Sequence, residues 1–407
     1  MIGAVVLIIA GIAIYNGLDA ASKASGRNRN RSVASYLAQQ DQERLRTMDA
    51  ATLAGYTSNR TVTVAGVSYK VVSSATLVND STGAISCTNK SGTAQYLKIS
   101  STVTDPRGQN GPVTEDSLMS PKPADGNAAV KVVDRTGVTG VSGVPVVLTE
   151  PPGQTTNTDS GGCSLFSFLS NGTQYHVSFA LPNYVDVNGM NTVSGPITVV
   201  PGTVSITSFQ YDKAGTIAVK MVTGAGGTPL CPGVSAFDSH MTINPRVRVF
   251  DNTSCDGANP PTATATGLFP FTDQYAVYPG TCTANDPATW KKTSTFAPVL
   301  GSGGSVNATF TEPMVNVTVT RNSSAYSAAH VTITENDAGC DGNVFTPPAL
   351  SSSGTMSIGL PYGKYTICAD DGTYEASDTS VNNITTGGDT AAININTGFF
   401  GKKGTCP

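Results

Sequence analysis

Met1 to Leu18 carries no charged residue, and Ile2 to Tyr15 is almost wholly aliphatic. Helical patterning continues past the end of that run. Residues 19–48 hold no proline and one glycine, Gly26, while Val33, Ala34, Leu37, Ala38, Leu45 and Met48 recur near one helix face. A helix from about Ile2 to Met48 is roughly 70 Å long at about 1.5 Å per residue. Its first eighteen residues reach roughly 27 Å, enough for the hydrocarbon core of a bilayer. Its second part is amphipathic and suited to lie against a sheet. Gly3, Gly11 and Gly17 permit close approach between helices, although glycine is common in membrane helices in any case.

After residue 50 the period shortens to two. Thr-rich strands follow, and Pro106 to Pro123, rich in Pro, Gly and Asp, reads as a linker. Beyond it a pattern recurs at an irregular spacing of about 90–100 residues. Each repeat opens on an alternating strand: AVKVVD at 129–134, GTIAVKM at 215–221 and VNVTVTR at 315–321. Each continues into an aromatic hairpin in which Tyr175, Tyr275 and Tyr365 are followed two residues on by Val177, Val277 and Ile367. Each closes on a second alternating strand, within 201–211, 303–312 and 387–397. Strict alternation with frequent turns predicts half-buried strands of β-sandwiches.

Composition agrees. Charged residues make up 13% of the chain, against about 25% in an average soluble protein. Together with 43 Gly and 24 Pro, this excludes a coiled coil or a highly charged disordered chain and disfavours a helical enzyme. The net charge is −4, and the densest basic group is Arg27, Arg29 and Arg31, so no nucleic-acid partner is expected. The expected fold class is mainly β, with a long N-terminal helix and small sheet before about three Ig-like or transthyretin-like sandwiches. The expected divisions are 1–50 helix, 51–105 sheet head, 106–125 linker, sandwiches at 126–212, 213–312 and 313–400, and a tail at 401–407.

No GxSxG, HExxH, P-loop or dinucleotide fingerprint occurs. No catalytic residue, cofactor or metal is expected. Asp370–Asp371–Gly372 and Asp341–Gly342 read as turns rather than calcium ligands. Asp159, Ser164 and His176 lie close in sequence, but His176 reads as a solvent-facing strand residue. Trp290 beside Lys291 and Lys292 reads as an aromatic capping a core rather than a sugar platform. The eight cysteines, Cys87, Cys163, Cys231, Cys255, Cys282, Cys340, Cys368 and Cys406, include no CxxC and suit disulfides in an exported protein. The repeat division suggests Cys340–Cys368 and Cys255–Cys282 within repeats, Cys87–Cys163 between head and first sandwich, and Cys231–Cys406 for the remainder. Spacing alone does not fix connectivity.

The apolar helix running into LDAASKASGRNRNRSVASYLAQQDQERLR, followed by TVTVAGVSYKVVSSATLVNDSTGAISC and AQYLKISSTVTDP, resembles the type IV pilins of the actinobacterial minor-pilin or pilus-modification type over about residues 1–105. The family has a basic leader and a Glu at the fifth mature position, whereas this chain has Val5 and no leader. The expectation is that translation starts upstream, which also reconciles Lys23, Arg27, Arg29 and Arg31 with an outward orientation. The segments GVPVVLTEPPG and DSGGCSLFSFLSNGTQYHVSFALPNYV resemble carboxypeptidase regulatory-like domains, which are structural or adhesive. The pilin resemblance implies a non-enzymatic filament subunit at the cell surface. Its assembly helix would use Ile2, Gly3, Val5, Val6, Leu7, Ile8, Ile9, Gly11, Ile12 and Ile14. The implied partners are other pilin subunits, the cytoplasmic membrane before assembly, and surface glycans or host proteins. The alternative is a membrane-anchored adhesin or glycan-binding module that does not polymerise.

Overall fold

The computed structural model describes residues 2–407 except 49, 54, 80–82, 85–86, 88–95, 106–110, 120–124, 150–152, 171–173, 201–202, 341–342, 383–388 and 399–400; for residues 2–10, 50–51, 77, 79, 83–84, 125 and 168 it describes the backbone alone. The protein is mainly β with one long N-terminal helix. The chain divides into two compact units. The first comprises Met1–Val132, Gly140–Phe179 and Ser194–Phe209, and the second Val133–Thr139, Ala180–Val193 and Gln210–Pro407.

In the first unit the helix runs from Ile2 to Arg46. Its second half lies on an antiparallel sheet with strand order Thr57–Val64, Val67–Asn79, Tyr96–Thr104, Val113–Met119. The periodicities of 3.6 and 2 meet at this contact. Ala34, Leu37 and Ala38 pack with Tyr69, Val71 and Val103, and Leu45 packs with Ala75, Leu97 and Ile99. Along Tyr96–Thr104 every second residue is buried, which supplies the flat apolar face that the helical stripe covers. The first hairpin closes on Ala65 and Gly66, both at positive φ (48° and 77°), as the tight turn between Val64 and Val67 requires.

The first unit also holds a sheet ordered Thr192–Thr198, Gln174–Ala180, Pro145–Thr149, Gln154–Asn157. A second sheet there pairs Asp125–Val133 with Cys163–Ser170. Val130, Val132, Val146, Leu148, Phe166 and Val177 are buried in this unit.

The second unit contains two sandwiches. In one, Thr262–Leu268, Gly215–Val222 and Ser305–Thr311 form a sheet, and Val247–Phe250, Val234–Phe237, Ala276–Pro279 and Thr295–Phe296 form another. Their apolar residues make one core around Ile217, Val219, Phe269, Tyr275 and Phe310. In the other, Met314–Arg321 lies between Thr355–Gly359 and Asp389–Ile395. A second sheet runs through His330–Glu335, Lys364–Asp370 and Tyr374–Asn382. Val315, Val317, Ile333, Ile358 and Ile393 fill the space between. In both modules the opening strand pairs with the closing strand in parallel, Val219 opposite Ala308 and Val319 opposite Ile393.

The three repeated tyrosines share one role. Tyr175, Tyr275 and Tyr365 are all buried, and each hydroxyl donates to a carbonyl a few residues upstream: Ser170 (3.4 Å), Phe269 (2.8 Å) and Pro361 (3.1 Å). The ring fills the core while the hydroxyl ties down the corner leading into its strand. Tyr275→Phe is expected to lower the stability of the full chain by about 1 kcal/mol, because the Phe269 carbonyl loses the hydroxyl and keeps only the Phe271 amide as donor, without loss of core volume. Denaturant unfolding with an unchanged slope is the check.

Candidate functional site

From residue 11 to residue 29 every residue of the helix is exposed. Ile12 and Ile14 are 56% and 64% exposed, and Tyr15 and Leu18 are equally uncovered. A Cβ added at Gly11 or Gly17 would meet nothing within 4 Å. Of the residues expected to form the assembly helix, Gly11, Ile12 and Ile14 therefore stand free of this chain. The side chains of Ile2, Gly3, Val5, Val6, Leu7, Ile8 and Ile9 lie outside the described residues. Among the described residues no helix is long and apolar enough to cross a membrane, so the expected span over Met1–Leu18 gains no support from them.

The docked half of the helix carries a polar knot that sequence reading missed. Asp41, fully buried, accepts hydrogen bonds from Ser73 Oγ and Ser101 Oγ (both 2.7 Å) and from the guanidinium groups of Arg44 (3.0 Å) and Arg60 (2.9 Å). Beside it Gln42 Nε2 donates to the Glu115 carbonyl at 2.7 Å, and Gln42 Oε1 accepts from Ser117 Oγ. Burial by itself raises the Asp41 carboxyl. The hydrogen bonds from Ser73, Ser101 and Arg44 outweigh it and hold the group below its ordinary value.

Disulfides staple the β-modules. Cys87 joins Cys163 within the first unit, with Cα atoms 5.6 Å apart. The other six cysteines pair differently from the sequence expectation, as Cys231–Cys255, Cys282–Cys340 and Cys368–Cys406 (Cα–Cα 6.2, 5.6 and 5.7 Å). A bridge needs Cα atoms within about 7 Å, and membership of a repeat does not supply that. Cys282 lies in an inserted segment whose Asn285 reaches out of its own module to Glu335 (2.5 Å) and the Tyr362 carbonyl (3.1 Å). That brings Cys282 to Cys340 instead of Cys255. At the C-terminus Lys402–Lys403 pairs with Tyr374 and Glu375, which carries Cys406 to Cys368.

The two sandwiches of the second unit are joined by more than this bridge. Thr228–Pro229, from one module's chain, pairs in parallel with Ile358–Gly359 of the other. Between them lies Glu312, whose Oε2 accepts from the Leu230 amide at 3.1 Å while its Oε1 is buried without a partner. A Cβ at Gly359 would stand 2.9 Å from Thr223 Cβ and 3.0 Å from Glu312 Cβ, so the close approach favours glycine. Burial pushes the Glu312 carboxyl well above the usual range, only partly opposed by the Leu230 amide. Burial likewise raises Glu335 against the hydrogen bonds from Asn343 and Asn285.

The residues considered for chemistry are dispersed. Asp159 Oδ1 accepts from the amides of Gly161 and Cys163 (both 2.8 Å) and so shapes a turn. Ser164 is buried on Cys163–Ser170 and bonded to Thr156, while His176 is exposed on a strand of a different sheet. Asp370 and Asp371 accept from the amides of Gly372, Thr373 and Tyr374, as turn residues do; Asp341 and Gly342 lie outside the described residues. Trp290 is half-buried, its indole N–H donating to the Ala284 carbonyl at 2.7 Å, with Lys364 Nζ 5.8 Å from its ring centre. A cleft of about 510 Å³ lies beside Cys231, lined by Asp251, Asn252, Thr281, Asn343 and Phe345.

No family model and no curated protein matches the chain. Solved structures that match the chain include the Bacillus anthracis TIE protein, 11% identical, with a TM-score of 0.22 over 86% of this chain and 74% of that one. The major pilin SpaD of Corynebacterium diphtheriae is 10% identical, with a TM-score of 0.21 over 69% and 98%. BcpA, the major pilin subunit of Bacillus cereus, is 13% identical, with a TM-score of 0.19 over 69% and 100%. At these values the likeness assigns neither family nor function.

Two stability predictions follow from the buried carboxyls. Asp41→Ala is expected to cost about 2–3 kcal/mol, a figure kept below that of a fully buried pair because both arginines are partly exposed. Since the folded Asp41 value is depressed, its contribution is present above about pH 4 and lost as pH falls through the folded value. Wild type and Asp41→Ala should therefore converge in acid, as read by thermal unfolding. Glu312 runs the other way. Its folded value is raised, so its contribution is full below about pH 4 and lost as pH rises through that value. Glu312→Gln should melt with wild type at about pH 4 and above it at about pH 8, which calorimetry at the two pH values would show.

Proposed function

We propose that this protein is a non-enzymatic structural subunit of a pilus-like surface filament, assembling through its N-terminal helix and displaying β-sandwich modules. The observation that carries the reading is the division of one continuous helix into two halves. From Ala34 to Leu45 its apolar stripe is covered by the chain's own sheet, while from 11 to 29 every residue is exposed. Exposed apolar side chains on a projecting helix mark an interaction surface, and the occupant proposed is the corresponding helix of neighbouring subunits, packed closely at Gly11 and Gly17. The pilin resemblance of residues 1–105 supports a type IV mode of assembly. In this reading 51–105 is the head, and 126–212, 213–312 and 313–400 are the displayed modules, with Cys87–Cys163 tying the head to the first and Cys282–Cys340 joining the last two, bridges suited to an oxidising exterior.

The test uses the full chain with Ile14→Glu and Leu18→Glu combined. Neither side chain contacts the folded heads, so circular dichroism and melting should match wild type. Loss of two buried aliphatic side chains, each worth about 1.5–3 kcal/mol, should cut the assembled fraction more than about tenfold in sedimentation and negative-stain microscopy. Wild-type chain that stays unassembled at every concentration, or a double variant that polymerises like wild type, would refute the proposal. The first of those results favours the non-polymerising adhesin, for which the cleft beside Asn343 and Phe345 is the natural ligand site.

A further inference from the structure

We propose that Asp238, His240 and Asp273, at one end of the first sandwich of the second unit, form a binding site for a divalent first-row transition-metal ion. The site is assembled by two loops. The strand Val234–Phe237 ends at Asp238, whose Oδ1 accepts from the His240 backbone amide at 2.8 Å. That turn brings the His240 ring back over the same carboxylate, with Nδ1 3.1 Å from Asp238 Oδ1. From the second loop, between Phe271 and Tyr275, Asp273 places Oδ2 3.2 Å from the same Nδ1. One ring nitrogen thus sits between carboxylate oxygens from two separate segments, and the three donor atoms lie within 4.8 Å of one another. Donors bound at about 2.0–2.2 Å with tetrahedral or octahedral angles stand roughly 3.0–3.5 Å apart. The spacings at Nδ1 already match that requirement.

The second observation is the state of the Asp238 carboxylate. Its side chain is fully buried, yet Oδ2 has no hydrogen-bond partner. A single imidazole N–H between two carboxylates cannot serve them both, and a buried carboxylate oxygen without a donor is rare. A cation held through Oδ1 would compensate the charge of this carboxylate, which now meets only the His240 amide and ring at Oδ1. The surroundings permit entry, since His240 and Asp273 are 61% and 46% exposed, which leaves the outer coordination positions to water. The His240 ring packs against Phe271 with centres 5.6 Å apart, which limits its orientations before any ion arrives. One nitrogen and two carboxylates suit zinc, manganese or cobalt better than calcium, which takes six to eight oxygens. Among the described residues, the two other groupings of similar compactness, Cys282–Glu335–Cys340 and Cys368–Glu375–Cys406, have their sulfurs committed to disulfides.

The test is calorimetric titration of the full, EDTA-treated and dialysed chain with zinc chloride, and separately with calcium chloride. One zinc ion should bind per chain. His240→Ala and Asp273→Asn, both at exposed positions and checked for folding by circular dichroism, should each weaken it by at least about tenfold. His330→Ala should bind as wild type does, although His330 Nδ1 also lies beside a carboxylate, Asp370 Oδ2 at 3.3 Å. No zinc binding by the wild-type chain, calcium binding tighter than zinc, or zinc affinity unchanged in His240→Ala and Asp273→Asn would each overturn the proposal.

Discussion

A helix can present its apolar stripe to only as much partner surface as the chain provides, and here the chain's own sheet covers the stripe for about half its length. Leu37 and Leu45 are buried to 2% and 0% exposure, whereas Ile12 and Ile14, on the same continuous helix, remain more than half exposed. The boundary follows the sheet: the residues that pack with it begin at Val33 and Ala34, whereas residues 11–29 are exposed. The knot at Asp41 makes the docked half specific as well as apolar. A charge removed from water must find its partners in one place, and Ser73, Ser101, Arg44 and Arg60 supply them only in the observed register.

Much of this architecture is legible in the sequence because burial follows periodicity. The shift from a period of 3.6 to one of 2 near residue 50 locates the end of the helix to within a few residues, since the stripe ends at Leu45 and the helix at Arg46. The repeated tyrosines mark equivalent corners for the same reason: an amphipathic ring with a hydroxyl at its tip can fill a core and still reach a carbonyl. The disulfide network was less accessible. Local repeats carry no information about insertions that cross from one module to the next, and the segment holding Cys282 and Asn285 does that.

The buried acids leave a trace in the pattern of the sequence. Asp41 sits four residues from Leu37 and four from Leu45, on the face that must be covered. Glu312 continues the inward parity of Ala308 and Phe310, and Asp238 that of Val234 and Ala236. An acidic residue in phase with a core stripe departs from the alternation that built the element. In all three cases it marks a place where two parts of the molecule meet through polar contacts.

The parallel pairing of opening and closing strands has a mechanical consequence. In each sandwich of the second unit the chain enters at the start of one strand and leaves at the end of its immediate neighbour, both running the same way. Once the bridges Cys282–Cys340 and Cys368–Cys406 are reduced, tension applied through the polypeptide slides Gly215–Val222 along Ser305–Thr311, and Met314–Arg321 along Asp389–Ile395, loading the whole ladder of hydrogen bonds together. An antiparallel pair pulled from one end would open rung by rung. Modules arranged in this way resist stretching by shear.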